Sequence, residues 1–275
     1  MTLAAVWCSY ENAAAPVLWM ASDSRISAGK GRLIDEGVKV FEIPVVCRGA
    51  GRDGSFDQKY FESTIGLACA GGTLVFQNVY GTLVPMLGNL ISPARAIPSV
   101  GDIADLIGRL MTLYVRSLGA RRPDAHQVSI VVGGLEVDGS PIAFELRPRV
   151  GPDGLIEFLP MEVDLAPGKV RFIGEGVGEA GELVQELIAR NEPGASRDRA
   201  ALNVIRSFIE DEAKPTIGGD VQIGHTVRGT FRRVASVAPG PTHSKRSLRR
   251  LNSIDLDELG LVGQCVIGTE AMTTP

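Results

Sequence analysis

Two near-continuous apolar runs open the chain, 3–10 and 16–22, and they predict a strand hairpin. Runs at 38–43 and 64–70 read as further strands. From 73 to 91 the apolar spacing changes to that of a helix, LVFQNVYGTLVPMLGNLI, with a kink expected at Pro85. A second helix, amphipathic, covers 102–119 and ends at Gly119. The strands QVSIVVGGLE, SPIAFELRP and LIEFLPMEV follow, the first two joined by a turn carrying Asp138 and Gly139. KVRFIGEG leads into the helix GEAGELVQELIARN, and a fourth helix spans 197–213 with Ser196 as its cap. The last clear hairpin is DVQIGHTVRG with TFRRVASV. Two antiparallel sheets between two helix layers satisfy this α+β order, although periodicity alone leaves other α+β layouts open.

Composition narrows the functional classes. A chain of 275 residues buries a sizeable core, and a net charge of −4 gives no general basis for holding nucleic acid. Neither a secretory signal nor an apolar stretch long enough to span a membrane is present, so the expected compartment is the cytoplasm. Cys8, Cys47, Cys69 and Cys265 are scattered, without a CxxC pair, so no metal site, disulfide framework or cofactor is expected. GEGVGEAG lacks the βαβ context of a nucleotide loop.

The chemistry begins at the N-terminus. Removal of Met1 before the small Thr2 leaves an α-amine beside the threonine's own hydroxyl. A hydroxyl is a weak nucleophile alone, and a neighbouring amine of modest pKa serves as its base. A nearby lysine keeps that amine neutral by charge repulsion, and an aspartate orients the lysine. Asp23, in VLWMASDSRIS, and Lys39, in EGVKVFEI, supply both, sixteen residues apart. This set of parts describes an N-terminal nucleophile (Ntn) hydrolase.

On these residues the chain resembles the proteasome β-subunit family, in its bacterial proteasome-like branch, over residues 2–235. The shared pattern is an N-terminal threonine, A-x-D-S-R after a hairpin, and a lysine-bearing strand at the same spacing. A small-residue turn follows, here IGLACAGGTLVFQ, in which Gly71 takes the position of the oxyanion-hole donor. The resemblance implies an Ntn hydrolase fold, a four-layer αββα sandwich, and a threonine-type peptidase or amidase cutting peptide or other amide bonds. It also implies a pocket for the side chain before the cut at Ile26, Gly37, Cys69 and Thr73, with backbone binding of an extended peptide around Ser27 and Gly71. A homo-oligomeric ring or stack follows by the same resemblance, any unfolding ATPase being a separate chain. The domain would end at 236, leaving 237–275 as an extension that packs on a neighbouring subunit or completes a sheet.

Three positions depart from the pattern. Gly174-Glu175-Gly176 has a carboxylate where the family has a serine hydroxyl, and Lys214 and Ile217 stand where it has an aspartate and a serine. Glu175 could bind the Thr2 amine or position a water, or could simply favour a helix N-terminus. Simpler readings exist for the rest: Asp23 as a turn residue, Lys39 as an edge-strand lysine, Cys69 as a core thiol. Two functional readings therefore stay open, a threonine hydrolase and a non-catalytic assembly or binding subunit of the same fold, with a small-amide hydrolase as a third. His126 reads as a loop residue and His225 as structural or exposed, and the basic KRSLRR at 245–250, followed by IDLDEL, as a charge-paired tail.

Overall fold

The computed structural model describes residues 2–11, 16–29, 31–51, 55–119, 127–152, 154–190, 199–238 and 248–266. Outside these lie Met1, the tip of the first hairpin, part of the polar insert after Lys39, His126, Ser196, the first half of the KRSLRR cluster and the end of the tail.

In chain order the strands are β1 (Leu3–Ser9), β2 (Val17–Asp23), β3 (Ile26–Ala28), β4 (Gly31–Ile34), β5 (Val40–Gly49) and β6 (Gln58–Gly71). Then come α1 (Thr73–Leu87), β7 (Leu90–Ile91), α2 (Val100–Gly119), β8 (Val128–Leu135), β9 (Pro141–Val150), β10 (Ile156–Glu162) and β11 (Val170–Gly174). Helices α3 (Val177–Arg190) and α4 (Ala200–Glu210) precede β12 (Val221–Val227), β13 (Thr230–Val234) and β14 (Ser236–Ala238). Short strands end the chain: β15 (Leu248–Leu251), β16 (Ile254–Asp255), β17 (Leu261–Val262) and β18 (Cys265–Val266). The protein is thus mixed α+β and rich in sheet.

Two large sheets carry the fold. A five-stranded sheet runs β11-β1-β2-β12-β13, and a six-stranded one runs β10-β9-β8-β6-β5-β7. All their pairings are antiparallel except β5 with β7. Strand alternation sorts apolar residues into three cores. Phe41, Ile43, Ile65 and Leu67 join Val79 and Leu83 of α1 and Ile103, Ile107 and Met111 of α2. Leu3, Ala5 and Trp7 join Ala180 and Val184 of α3 and Val204, Ile205 and Phe208 of α4. The other faces of the same strands meet in a third cluster, with Ala4, Val6, Leu18 and Met20 against Val40, Ala68, Val131 and Ala143.

The first helix stops short of the expected 91. Gly88 donates its N–H to the Val84 carbonyl at 3.0 Å, and Leu90 and Ile91 then leave to pair with Cys47 and Arg48. Apolar residues kept the helical spacing there while serving a strand. Pro85 therefore falls in the last turn of α1. Among the described residues no helix is long and apolar enough to cross a membrane.

After β13 the chain forms a three-stranded sheet, β14-β15-β16. Its left-handed Asn252-Ser253 turn docks on the chain's own first half. Ser253 Oγ donates to the Asp35 carbonyl at 3.0 Å and lies 2.9 Å from Ser24 Oγ.

Candidate functional site

Thr2 stands at the head of β1, on the central side of the five-stranded sheet, and is buried. Its carbonyl accepts the Glu175 N–H at 2.8 Å, which fixes the chain end against the β11–α3 turn. That approach requires glycine next door. Gly174 has φ +103°, and a Cβ there would stand 1.9 Å from the Thr2 oxygen. Gly71, at φ +93°, is held equally close, since a Cβ would meet the Gln127 oxygen at 1.9 Å. Both positions need a left-handed backbone without a side chain.

Behind Thr2 lies a buried ion pair. Lys39 Nζ is 2.9 Å from Asp23 Oδ2, and the two side chains are 5% and 0% exposed. β2 ends at Asp23 and β5 begins just after Lys39, so facing sheets supply the two partners. Asp23 Oδ1 accepts the N–H of Leu3 at 3.1 Å, tying the pair to the residue next to Thr2. Its Oδ2 also accepts the N–H groups of Arg25 and Gly218, each at 3.2 Å. A buried charge survives only when paired and hydrogen-bonded, and Asp23 is both. Burial still dominates the proton equilibria. It pushes the Asp23 carboxyl up and the Lys39 ammonium down, while the ion pair pulls both the other way.

Gln222, unnoticed in the sequence, holds the lysine strand. Its Oε1 accepts the N–H groups of Lys39 and Val40 at 2.9 and 3.1 Å, and its amide donates to the Gly37 carbonyl. The only sequence signal was a glutamine at a core-facing position of DVQIG. Arg25 braces the same corner, with Nε 2.7 Å from Asp35 Oδ1 and a second bond to the Pro215 carbonyl at 3.0 Å. That contact holds Asp35 below the usual carboxylate range.

A cleft of about 430 Å³ opens in front of Thr2, walled by Ala70, Gly71, Gln127, Ser129, Arg147, Gly174 and Glu175 among others. Of the expected site residues, Thr2, Gly71 and Glu175 meet in this cleft, with Asp23 and Lys39 behind. Ile26, Ser27, Gly37, Cys69 and Thr73 are not among its walls. Ile26 packs on Gly37, and Gly37 donates its N–H to the Ser24 carbonyl at 2.9 Å. Cys69 belongs to the core under α1 and donates its N–H to the Lys39 carbonyl at 3.0 Å; burial pushes its thiol far up. Thr73 opens α1 and Ser27 lies on β3.

The three departures have structural occupations. Glu175 accepts the Thr216 hydroxyl. Lys214 bonds Asp211 at 2.9 Å and Glu179 at 3.0 Å and lies over the Phe208 ring. Ile217 is buried in the core with α3 and α4. Among the described residues no cluster of three or more histidine, cysteine or acidic side chains is placed to hold a metal. His225 stacks on Trp19 with ring centres 4.4 Å apart, and burial lowers its pKa.

No model of a known protein family matches the chain, and no curated protein matches it. Solved structures do. The helical assembly of the Anbu complex from Pseudomonas aeruginosa is 20% identical, covering 85% of this chain and 86% of that one, with a TM-score of 0.53. A Gly-1 mutant of Anbu from Hyphomicrobium sp. strain MC1 is 17% identical over 90% of this chain and 87% of that one, and Anbu (ancestral β-subunit) from Yersinia bercovieri is 17% identical over 85% and 86%; each has a TM-score of 0.53. These likenesses carry the fold. They correct the expectation of a proteasome β-subunit of the bacterial proteasome-like branch, because the similar structures are Anbu proteins, proteasome-like in fold but a distinct family. The misreading has a physical cause: the threonine, A-x-D-S-R and spaced lysine encode a buried pair behind the first strand, which is a property of the fold and does not separate families that share it.

Proposed function

We propose that the protein is an amide hydrolase whose nucleophile is Thr2 after loss of Met1, built on an Anbu-like, four-layer αββα sandwich. The three separate cores support the layering, two between a helix pair and a sheet and one between the sheets. The observation that carries the activity is the Asp23–Lys39 pair, enclosed directly behind Thr2 and bonded to the Leu3 N–H. Such a pair is costly to bury, and a fold without use for it would do as well with apolar residues.

In this reading the Asp23 carboxylate, 2.9 Å away, holds the proton on Lys39 against burial, and the lysine charge lowers the proton affinity of the Thr2 amine and keeps it a base. Thr2 Oγ attacks the amide carbonyl as the amine takes its proton. The Gly71 N–H stabilises the oxyanion, a contribution of about 3–4 kcal/mol for such a donor. The C–N bond then breaks, the leaving amine takes the proton, and water activated by the same amine hydrolyses the ester. Of the four expected pocket residues, Ile26 and Thr73 are half-buried and offer surface to the side chain before the cut, Gly37 and Cys69 lie in the packing beneath, and Ser27 offers backbone to an extended substrate. Cys8, Cys47 and Cys69 are buried as thiols, not joined in disulfides among the described residues, which suits a reducing compartment such as the cytoplasm. Assembly of many copies is supported by β10, an edge strand with Leu159 and Met161 exposed, and by the helical assembly of the similar Pseudomonas protein.

A second reading, a binding or assembly subunit without turnover, draws support from Lys214 and Ile217, which replace the expected aspartate and serine and are engaged in an ion pair and in the core. Thr2→Ala separates the two. Turnover of peptide amides should vanish with the urea midpoint unchanged, whereas undiminished turnover removes Thr2 as nucleophile. Glu175→Ser should retain activity if the carboxylate is structural, and lose it if Glu175 serves the amine.

A further inference from the structure

Unlike charges from the two sheets line the cleft in front of Thr2. Glu175 stands on the turn after β11, and Arg147 stands on β9 of the other sheet. Ala143, Glu145 and Arg147 share one face of β9, and that face meets the five-stranded sheet: Ala143 belongs to the core drawn from both sheets. Glu145 is consequently enclosed, its side chain 2% exposed. Its two oxygens hold two arginines, Oε1 the Nε of Arg147 and Oε2 the Nε of Arg171 on β11 at 2.5 Å.

One carboxylate against two guanidinium groups leaves one positive charge over. A single arginine would neutralise Glu145, so the second is surplus to the requirement that a buried charge be paired. Arg147 is the one that reaches the cleft. Its side chain is 43% exposed, and Glu145 is its sole side-chain partner among the described residues. Nε is committed to Glu145, which orients the guanidinium and leaves its outer N–H donors for a ligand.

The direction of the substrate follows from strand order. From Gly71 at the end of β6, the expected acyl-side pocket lies on β6 itself and toward β5 and β3, whereas β8 and then β9 lie the other way. We infer that Arg147 binds a carboxylate on the leaving-amine side of the scissile bond, so that the group released is an amino acid with its carboxylate free. The substrate class is then an acylated amino acid or a peptide cut at its last residue. When the C–N bond breaks, the amine of that residue gains a proton, and Glu175, in the same cleft, suits the resulting ammonium. This inference rests on Thr2 as the nucleophile.

The test uses three N-acetylated peptides sharing one acyl part, Ac-Ala-Ala-Val. One ends in alanine with a free carboxylate, one in alanine amide, and one in aspartate amide. The free acid should be cut with kcat/KM about tenfold above the alanine amide, the gain expected of a charge-assisted hydrogen bond at a partly exposed site. Arg147→Gln should bring the ratio near one, Arg147→Lys should restore part of it, and Arg171→Gln, which disturbs the same glutamate from outside the cleft, should leave it in place. Equal cleavage of acid and amide by the unaltered protein overturns the inference and leaves Thr2 standing. Aspartate amide cut as fast as the free acid overturns the terminal carboxylate in favour of an acidic side chain. If none of the three is cut, saturation-transfer NMR with the same peptides decides separately: tighter binding of the acid, lost in Arg147→Gln, upholds the carboxylate site while Thr2 falls, and equal binding overturns both.

Discussion

Two buried carboxylates flank the Thr2 end of the sheets, and their surroundings differ. Asp23 meets one lysine and three backbone N–H groups, in a nest from which water is excluded. Glu145 meets two arginines whose side chains are 43% and 39% exposed, so its positive partners remain half in water. The first arrangement is neutral, closed and joined to the backbone of the residue after Thr2. The second carries a surplus positive charge and opens on the cleft. An enclosed pair can act only on what touches it, which here is the start of β1. An open one can act on a molecule that enters. The same fold thus places a fixed electrostatic support behind the candidate nucleophile and a receptor for charge in front of it.

Breaking each arrangement should expose that difference. Lys39→Met leaves Asp23 buried and unpaired, and should cost about 3–5 kcal/mol in urea unfolding together with all amidase activity. A variant of ordinary stability would mean that the enclosed pair supports little. Glu145→Gln should cost less, about 1–3 kcal/mol, because both arginines can turn to water; a loss as large as that of Lys39→Met would erase the distinction drawn between the two sites.

The smallest effect concerns the rim of the enclosed pair and depends on pH. Asp35 is held below its usual 3.8 by the Arg25 guanidinium beside it. Its contribution is therefore complete above 3.8 and lost as pH falls through the lower, folded-state value. Asp35→Asn should be less stable than the parent at neutral pH, and the two should converge in acid. Parallel curves across that range would show that the Arg25–Asp35 pair contributes nothing to stability.

The sequence was informative where apolar residues follow one another without a break. The apolar runs TLAAVWCSY and VLWMASD located β1 and β2, which are buried on both faces, and the sixteen-residue spacing located the Asp23–Lys39 pair, which closes at 2.9 Å. It was silent about charged residues that a second sheet covers. In SPIAFELRP, Ile142, Phe144 and Leu146 mark the helix-facing side, and Glu145 and Arg147 lie on the other side. The second sheet covers that side, so a residue that looks surface-bound is enclosed. Groups belonging to the backbone were hidden for another reason. The Gly218 N–H on Asp23 and the Thr2 carbonyl on Glu175 have no side-chain signature, and only the glycines at 71 and 174 hint at such close approach. β3, β4 and β14–β18 were too short to show a period.

The central claim is that the enclosed pair makes Thr2 a nucleophile, and an intact-mass spectrum before and after treatment with a peptide epoxyketone tests it most directly. That group closes on both the hydroxyl and the amine of an N-terminal threonine. The account predicts a chain without Met1 that gains one adduct on Thr2, and a Lys39→Met chain that gains none. An adduct formed equally well in both would contradict it.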